Sequence, residues 1–350
     1  MPDDVPVPYP VREILESLLA RRDLEARGAE EFMTAVIEGR VAPVSLSAVL
    51  VALRAKGETE AELAACAKVM RARAVPIRAP EEVLDTCGTG GDGAAVFNLS
   101  TAAALIAAGA GVPVAKHGNR SVSSSCGSAD VLKELGVKIE APAPVVERCL
   151  RETGFGFLFA PLFHPGMKHA APVRRELGIR TLFNLLGPLA NPARARRQLL
   201  GVFEPRWCEV FARALRTLGG VSAWVVCGPR PGGGWLDELS PWGPTTIARL
   251  EAGQVRLETF EPKNFGFSPP PAKALAVSGP RESAQRMREL LAGGSGPVRD
   301  AALLNSAAAL QAAGRASDWE TGLKLAAESL DSGRAQAALQ SLISCSNRPE

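Results

Sequence analysis

The stretch EEVLDTCGTGGDGAAVFNLSTAAALIAAGAGVPVAKHGNRSVSSSCGSAD, residues 81–130, decides how the chain folds. A short apolar segment, Glu82 to Asp85, runs into the glycine-rich GTGGDG of residues 88–93. A helix of small residues follows from Ser100 to about Ala108, then a strand-like VPVAK at 112–116 and another turn. Strand, loop, helix, strand is the order of an α/β sheet. Ser128 is placed to cap the next helix, Ala129 to Leu135, and Gly136 to stop it.

Downstream the alternation continues. Phe155 to Ala160 and Ser222 to Cys227 read as strands, and Trp207 to Leu218 as the helix between strands. Residues 168–190 interrupt it with two helical stretches, expected to pack with the N-terminal helices rather than on the sheet. Ala-rich helices, Asp300 to Ala313 and Trp319 to Leu330, come near the end, with Gly314 and Gly333 as stops; Pro262 to Ala272 is irregular. Upstream the grammar is different. Val11, Ile14, Leu15, Leu18 and Leu19 recur at helical spacing, and Ala29 to Ile37 and Leu46 to Arg54 repeat the pattern. Thr59, with Glu62 three residues on, opens a further helix through Met70 as a capping box. No strand signal precedes about residue 80, and the change falls at Arg78-Ala79-Pro80. The expected division is residues 1–78, with about 168–190, as an all-helical domain, and residues 79–167 and 191–350 as an α/β domain.

Composition agrees with such a chain. Its 350 residues are 46% hydrophobic and 22% charged, enough length to bury a sizeable core. Aromatics are 5%, so the core is mostly small and aliphatic; the five tryptophans, Trp207, Trp224, Trp235, Trp242 and Trp319, read as packing residues. Net charge is +3 with no long basic run, which argues against a nucleic-acid arm. Seven cysteines without a Cys-x-x-Cys pair argue against a zinc site or disulfide framework and favour a reducing cytoplasm. The longest apolar stretch, Ala102 to Ala115, is too short and glycine-rich for a membrane span.

The residues that carry chemistry fall into clusters. GTGGDG at 88–93 follows a strand and precedes a helix, where converging N–H groups and a helix dipole favour an anion; a tight turn would use the same glycines. Asn98-Leu99-Ser100-Thr101 opens that helix, and plain N-capping explains it as readily as a bound phosphate or a metal on the Ser100 hydroxyl. Lys116-His117-Gly118-Asn119-Arg120, with Ser121, Ser123, Ser124 and Ser125, follows a strand and holds more donors than a turn requires. Asp237-Glu238, in GGGWLDELS, suits Mg²⁺, although adjacent acids are common on surfaces. His164 and His169 lack the spacing of zinc hydrolases, and Arg174 is either a carboxylate anchor or a surface arginine. No Ser-His-Asp or Cys-His pairing suggests a covalent route. An anion cradle, a basic serine-rich loop and a carboxylate pair together indicate a transferase that handles phosphate or pyrophosphate.

GTGGDG, FNLST, KHGNRSVSS, GSAD, HPGMK, VRRELGIRTLFNLLGPLANP and LDELS, in that order, resemble the anthranilate phosphoribosyltransferase family, and VIEGRVAPVSLSAVLVALRAKGET and DAALLNSAAAL extend the likeness over nearly the whole chain. The resemblance implies an α/β fold class: a small all-helical N-terminal domain plus a larger α/β domain with a mostly parallel central sheet, of nucleoside phosphorylase/phosphoribosyltransferase type. It implies a homodimer, without nucleic acid or membrane, that joins anthranilate to phosphoribosyl pyrophosphate in tryptophan biosynthesis. On matching positions, Gly88, Gly91, Asp92, Asn98, Ser100, Thr101, Lys116, Asn119, Ser123, Ser124 and Ser128 would hold the donor. Ser100, Asp237 and Glu238 would hold two Mg²⁺ ions per subunit. Gly88, Asn119 and Arg174 would hold anthranilate, with His117, His164 and Pro188 along its approach path. The chain departs from the pattern at Ser125-Cys126, Val96, Gly166 and Cys227. A pyrimidine nucleoside phosphorylase-like enzyme and a non-catalytic nucleic-acid-binding relative are the alternatives; intact Asp237-Glu238 argues against both.

Overall fold

The computed structural model describes residues 9–90, 95–121 and 126–349. Helices come first: α1 (Arg12–Leu19), α2 (Ala26–Ile37), α3 (Pro43–Lys56) and α4 (Glu60–Arg73). The capping box at the start of α4 is present. The Glu62 N–H donates to Thr59 Oγ1 at 3.3 Å, and Glu62 Oε2 accepts from the Thr59 N–H at 2.9 Å. Buried Glu62 also takes the Leu24 N–H and pairs with Lys56 Nζ at 3.0 Å, so one carboxylate ties three segments of the helical unit.

The sheet begins with β1 (Leu84–Gly88), α5 (Leu99–Gly109), β2 (Val114–Gly118), α6 (Ser128–Glu134), α7 (Ala143–Thr153) and β3 (Phe155–Phe159). Then come α8 (Ala160–Phe163), a 3-10 turn at Pro165–His169, α9 (Ala171–Leu177), α10 (Leu182–Leu186) and a second 3-10 turn at Gly187–Leu189. β4 (Arg197–Gly201), α11 (Arg206–Thr217), β5 (Ser222–Pro229), β6 (Trp235–Leu236), β7 (Thr245–Glu251) and β8 (Gln254–Phe260) complete the sheet. The chain closes with α12 (Pro280–Leu291), α13 (Pro297–Ala312), α14 (Trp319–Asp331) and α15 (Arg334–Asn347).

Strand order is β3-β2-β1-β4-β5-β7-β8, with β6 paired to β5. The pairs from β3 to β5 are parallel; β7 and β8 add an antiparallel hairpin at one edge. After β1 the chain builds β2 and β3 on one side, then crosses to β4 on the other. The boundary between β1 and β4 is therefore a topological switch point, where an open α/β sheet leaves a crevice at its strand ends.

Both faces of the sheet are covered, so its strands are buried on both sides. Trp224 and Val226 of β5 join one core with α5 and α13, while Ala223 and Val225 join a second with α4, α10 and α11. The second core continues without a break into Phe32, Met33 and Leu50 of the N-terminal helices. The Pro165–His169 turn lies against α2, α9 against α3, and α10 against α3 and α4, as expected for the interruption at 168–190.

Several local expectations are corrected. β1 starts at Leu84 rather than Glu82 and runs through Gly88, because both its edges are paired and it continues in register with β4 to Gly201. β2 likewise starts at Val114 rather than 112 and runs to Gly118, so His117 as well as Lys116 is a strand residue with a buried side chain. Ser128 is the first helical residue of α6 and not its cap. Asp130 serves that end instead, accepting the Gly127 and Ser121 N–H groups at 3.0 and 2.9 Å. Gly333, as expected, follows the end of α14, in the left-handed region at φ +74°, and it also opens α15. Trp235 is 40% exposed and is no packing residue. Among the described residues no helix is long and apolar enough to cross a membrane.

Candidate active site

A cavity of about 540 Å³ opens at the carboxyl ends of β1 and β2, beside the switch point. Gly88, Asn98, Ser100, Lys116, His117, Asn119 and Ser128 line it from the sheet and α5–α6 side. His164, Arg174 and Pro188 line it from the helical interruption, and Asp237 and Glu238 from the loop after β6. Thr101 is not among the lining residues: it faces inward, fully buried, with Oγ1 lacking a partner. A residue one step after Ser100 on a helix points about 100° away, so the two cannot serve one surface alike. Gly91, Asp92, Ser123, Ser124 and Ser125 lie outside the described residues.

One pole of the cavity, the acidic one, is built by close approach of backbone to carboxylate. Gly88 and Gly201 are register partners at the ends of β1 and β4, and Asp237 lies directly over both. A Cβ at Gly88 would overlap Asp237 Oδ2, and one at Gly201 would overlap the Asp237 carbonyl. The glycines thus let the acidic loop sit on the sheet. Asp237 Oδ2 accepts the Gly90 N–H at 2.8 Å, and Glu238 Oε1 accepts the Ser100 N–H at 2.9 Å, at the first turn of α5. The carboxylate pair therefore joins the glycine turn to the helix N-terminus, where negative charge is favoured. Asn98 does not cap α5 through its side chain. Its Nδ2 donates to the Cys126 carbonyl at 3.1 Å and its Oδ1 accepts from Ser283 Oγ at 2.7 Å, so it braces α5 to the basic loop and to α12.

Lys116 lies beneath this pole, 1% exposed. Its ammonium donates to the Thr86 carbonyl, to Thr86 Oγ1 at 3.4 Å and to Ser100 Oγ at 3.3 Å. Burial pushes its pKa down, while the negative charge of Asp85, Cys87, Glu238 and Asp237 pulls the other way. Burial pushes the Asp85 carboxyl up, against bonds from Asn191 and the His117 N–H and the charge of Lys116.

The opposite pole is less charged. The His117 and His164 rings stand 5.1 Å apart, and burial holds their pKa values at about 3 and about 4, so both are neutral at pH 7. His117 Nδ1 meets the Gly187 carbonyl at 3.1 Å; Nε2 of each ring has no partner. Arg174, on α9, lies over the Phe183 ring at 5.6 Å and is half-buried, which lowers its pKa. Among the described residues it makes no ion pair. It is therefore a cation turned to the cavity, not a surface arginine. Pro188 is buried, its carbonyl held by Gln198 Nε2 at 2.9 Å.

Sequence reasoning missed Met70, Phe183 and Asn184 as lining residues, and the polar floor of Asp85, Thr86 and Gln198 beneath the site. A Thr, an Asp and a Gln inside buried strands are a signal in themselves, because unsatisfied polar groups there are costly. Of the departures, Val96 bridges to Ala276, Cys227 is buried in β5, and Cys126 supplies its carbonyl to Asn98. Gly166 has a structural reason: a Cβ there would overlap Ile37 Cγ2 of α2.

The chain matches the glycosyl transferase family in two parts, the helical bundle domain over residues 12–74 and the a/b domain over residues 80–336. A relative named anthranilate phosphoribosyltransferase, from Chloroflexus aggregans, is 49% identical over 96% of this chain and 98% of its own. A crystal structure of anthranilate phosphoribosyltransferase from Thermus thermophilus superposes with a TM-score of 0.89 at 44% identity, covering 95% of this chain and 99% of that one. The chain belongs to the anthranilate phosphoribosyltransferase family. It is accordingly an enzyme, a transferase, with the small helical N-terminal domain and larger α/β domain of anthranilate phosphoribosyltransferases. The anthranilate phosphoribosyltransferase of Saccharomyces cerevisiae, solved in complex with PRPP and Mg, is 28% identical with a TM-score of 0.86, covering 96% of this chain and 97% of that one.

Proposed function

We propose that the chain moves the phosphoribosyl group of 5-phosphoribosyl 1-pyrophosphate to anthranilate, giving N-(5-phosphoribosyl)anthranilate and pyrophosphate, with the donor at the Asp237-Glu238 pole and the acceptor at the Arg174 pole of one cleft. The observation that carries this reading is the reach of the acidic pair: Asp237 bonds Gly90, 147 residues away, and Glu238 bonds Ser100, 138 residues away. An acidic doublet on a solvated surface would have no reason to meet a glycine turn and a helix N-terminus. Of the three readings of the sequence, the relatives' names support this one.

Breaking the ribose–pyrophosphate bond builds positive charge on the sugar and negative charge on the leaving group. The α5 N-terminus, the glycine-turn N–H groups and the Lys116 charge lie where that negative charge develops. Gly91, Asp92, Asn98, Thr101, Ser123, Ser124 and Ser128 are proposed donor contacts on the strength of the resemblance, with Thr101 the weakest because it faces inward. Asp237, Glu238 and the Ser100 hydroxyl are hard oxygen donors, which fits Mg²⁺. Among the described residues no group of three or more His, Cys, Asp or Glu side chains could hold an ion alone, so phosphate oxygens of the donor complete the shell. Two Mg²⁺ ions per subunit, when bound, supply positive charge against the departing diphosphate.

Arg174 meets the anthranilate carboxylate, its guanidinium being suited to a planar anion. Asn119 lies at the border of the two substrates, and neutral His117 and His164, with Pro188, line the approach. Anthranilate's amine is weakly basic and already unprotonated at neutral pH, so no strong base is needed. Histidines held neutral suit that task, and catalysis rests on positioning and on stabilising the leaving group. The helical domain, taken as residues 1–78 with about 168–190, carries Arg174, so its movement toward the sheet would close the cleft and exclude water.

A homodimer is part of the proposal. Leu19 (72% exposed) on α1, Val44 (83%) on α3 and Ile179 (43%) after α9 leave apolar surface on adjoining helices that a second copy would cover. A cytoplasmic setting suits seven buried cysteines, none in a disulfide. The test is a fluorescence assay of anthranilate loss. Loss is expected only when phosphoribosyl pyrophosphate and Mg²⁺ are both present; loss of thymidine to thymine with phosphate instead would overturn the assignment.

A further inference from the structure

Ser100 is the point where the site's elements converge. Its N–H donates to Glu238 Oε1 at 2.9 Å, its carbonyl accepts from Thr86 Oγ1 at 2.8 Å, and its hydroxyl oxygen accepts from Lys116 Nζ at 3.3 Å. Each bond comes from a different element: the acidic loop, β1 and β2. Thr86 touches two members of this set. Besides holding the Ser100 carbonyl, it receives the Lys116 ammonium on its own carbonyl and, at 3.4 Å, on its hydroxyl oxygen.

Proton counting gives these contacts a direction. The Thr86 hydroxyl has one proton, which it spends on the Ser100 carbonyl, so its lone pairs face Lys116. Lys116 has no acceptor capacity, so its bond to Ser100 occupies a lone pair of that hydroxyl and turns the Ser100 proton away, toward the cavity. Among the described residues Lys116 makes no ion pair: its direct partners are neutral oxygens, two of them on Thr86. Thr86 is fully buried, in the middle of β1, where valine would serve the fold equally well by shape.

We propose that Thr86 is a positioning residue: it seats the Lys116 ammonium under Ser100, so that the Ser100 hydroxyl is presented to the diphosphate of the donor with a cation behind it. This rests on the donor placement proposed above and adds a residue outside the cleft lining to the machinery. A buried charge next to a hydroxyl strengthens that hydroxyl's bond to an anion, since low polarity leaves the field unscreened. Thr86 therefore acts on the donor and not on anthranilate, which binds at the other pole.

The experiment is calorimetric binding of phosphoribosyl pyrophosphate with Mg²⁺, and of anthranilate, to the full chain without turnover. Thr86→Val should weaken donor binding about tenfold, the scale of one hydrogen bond to a charged group, and leave anthranilate binding within about twofold. Thr86→Ser, which keeps the hydroxyl, should restore donor binding. In Lys116→Met, adding Thr86→Val should bring no further loss, because the seat has nothing left to hold. Should Thr86→Val not fold, Thr86→Cys, a weak donor of similar size, takes its place with the same expectation. Donor binding unchanged by the substitution, or equal loss for both substrates, or a full extra loss in the double variant, overturns the proposal. Wild type that fails to bind the donor at all overturns the functional reading instead.

Discussion

At the donor pole, Asp237 and Glu238 each hold a backbone N–H, Lys116 meets three oxygens, and Asn98 is braced at both ends of its amide. At the opposite pole, among the described residues, Nε2 of His117 and of His164 has no partner, and Arg174 touches an aromatic ring but no carboxylate. The first pole is assembled within the α/β domain, from strand ends, α5 and the loop after β6. The second draws on α8, α9 and the turns that lie against α2 and α3. The difference teaches where each part of the reaction's cost is met. Charge stabilisation needs donors fixed in advance, so they are bonded to the scaffold. Recognition of a small aromatic acid needs unspent polar groups, and of these Arg174 sits on the part of the molecule that would move, facing the two imidazoles of the α/β domain.

The largest expected effect lies at the bonded pole. Glu238→Gln should lower kcat about a thousandfold with folding intact, since it removes charge where the leaving group departs. Near-normal turnover at millimolar Mg²⁺ would remove the metal role of the pair. At the other pole, Arg174→Ala should raise the anthranilate KM about thirtyfold, roughly 2 kcal/mol, and the donor KM little. Equal changes in both constants would show that the guanidinium does not divide the cleft in this way.

The buried imidazoles give a stability prediction of intermediate size. His164 has a folded pKa of about 4 against an ordinary 6.5. Below pH 6.5 the unfolded chain takes up a proton that the folded chain refuses. The folded state thus loses stability as pH falls from 6.5 toward 4, by up to about 1.4 kcal/mol per pH unit. Urea unfolding of His164→Asn over that range should show a slope shallower by about that amount; an unchanged slope would mean that the ring is charged or exposed in the folded protein. The smallest effect tests the junction of α2 with the Pro165–His169 turn. Gly166→Ala sets a Cβ against Ile37 and should cost about 1–2 kcal/mol in the same measurement, and no loss of stability would show that the turn yields there.

Much of this was legible in the sequence, for identifiable reasons. The capping box of Thr59 and Glu62 is local, and local chemistry reads well. The glycine run 88–93 and the Ala-rich helix after it announced strand, loop and helix because each uses a distinct residue set. β4 did not, because Arg197 and Gln198 break its pattern; Gln198 earns its buried place through the Pro188 carbonyl and through Asp85 and Cys87 of β1, all brought near by the fold. The hairpin of β7 and β8 was missed because β8 is an exposed edge strand, in which Val255 and Leu257 alternate with Arg256 and Glu258 over only two repeats and Leu257 itself stays exposed. The strand was read to end at Lys116, which left His117 and Gly118 to the turn, whereas the sheet continues through Gly118 and buries both Lys116 and His117.

By itself the sequence determined the N-terminal helices and the strand, loop, helix, strand order around the glycine run, and pointed to an anion after β1 and an acidic pair to serve it; propensity, capping and glycine content act over a few residues and need no fold. Only the tertiary structure decided that Asp237 rests on Gly88 and Gly201, that Ser100 is held from three sides, and that His117 and His164 stay neutral. Contact across more than a hundred residues, and the removal of water that shifts a pKa, are properties of the folded interior and are written in no single stretch of chain.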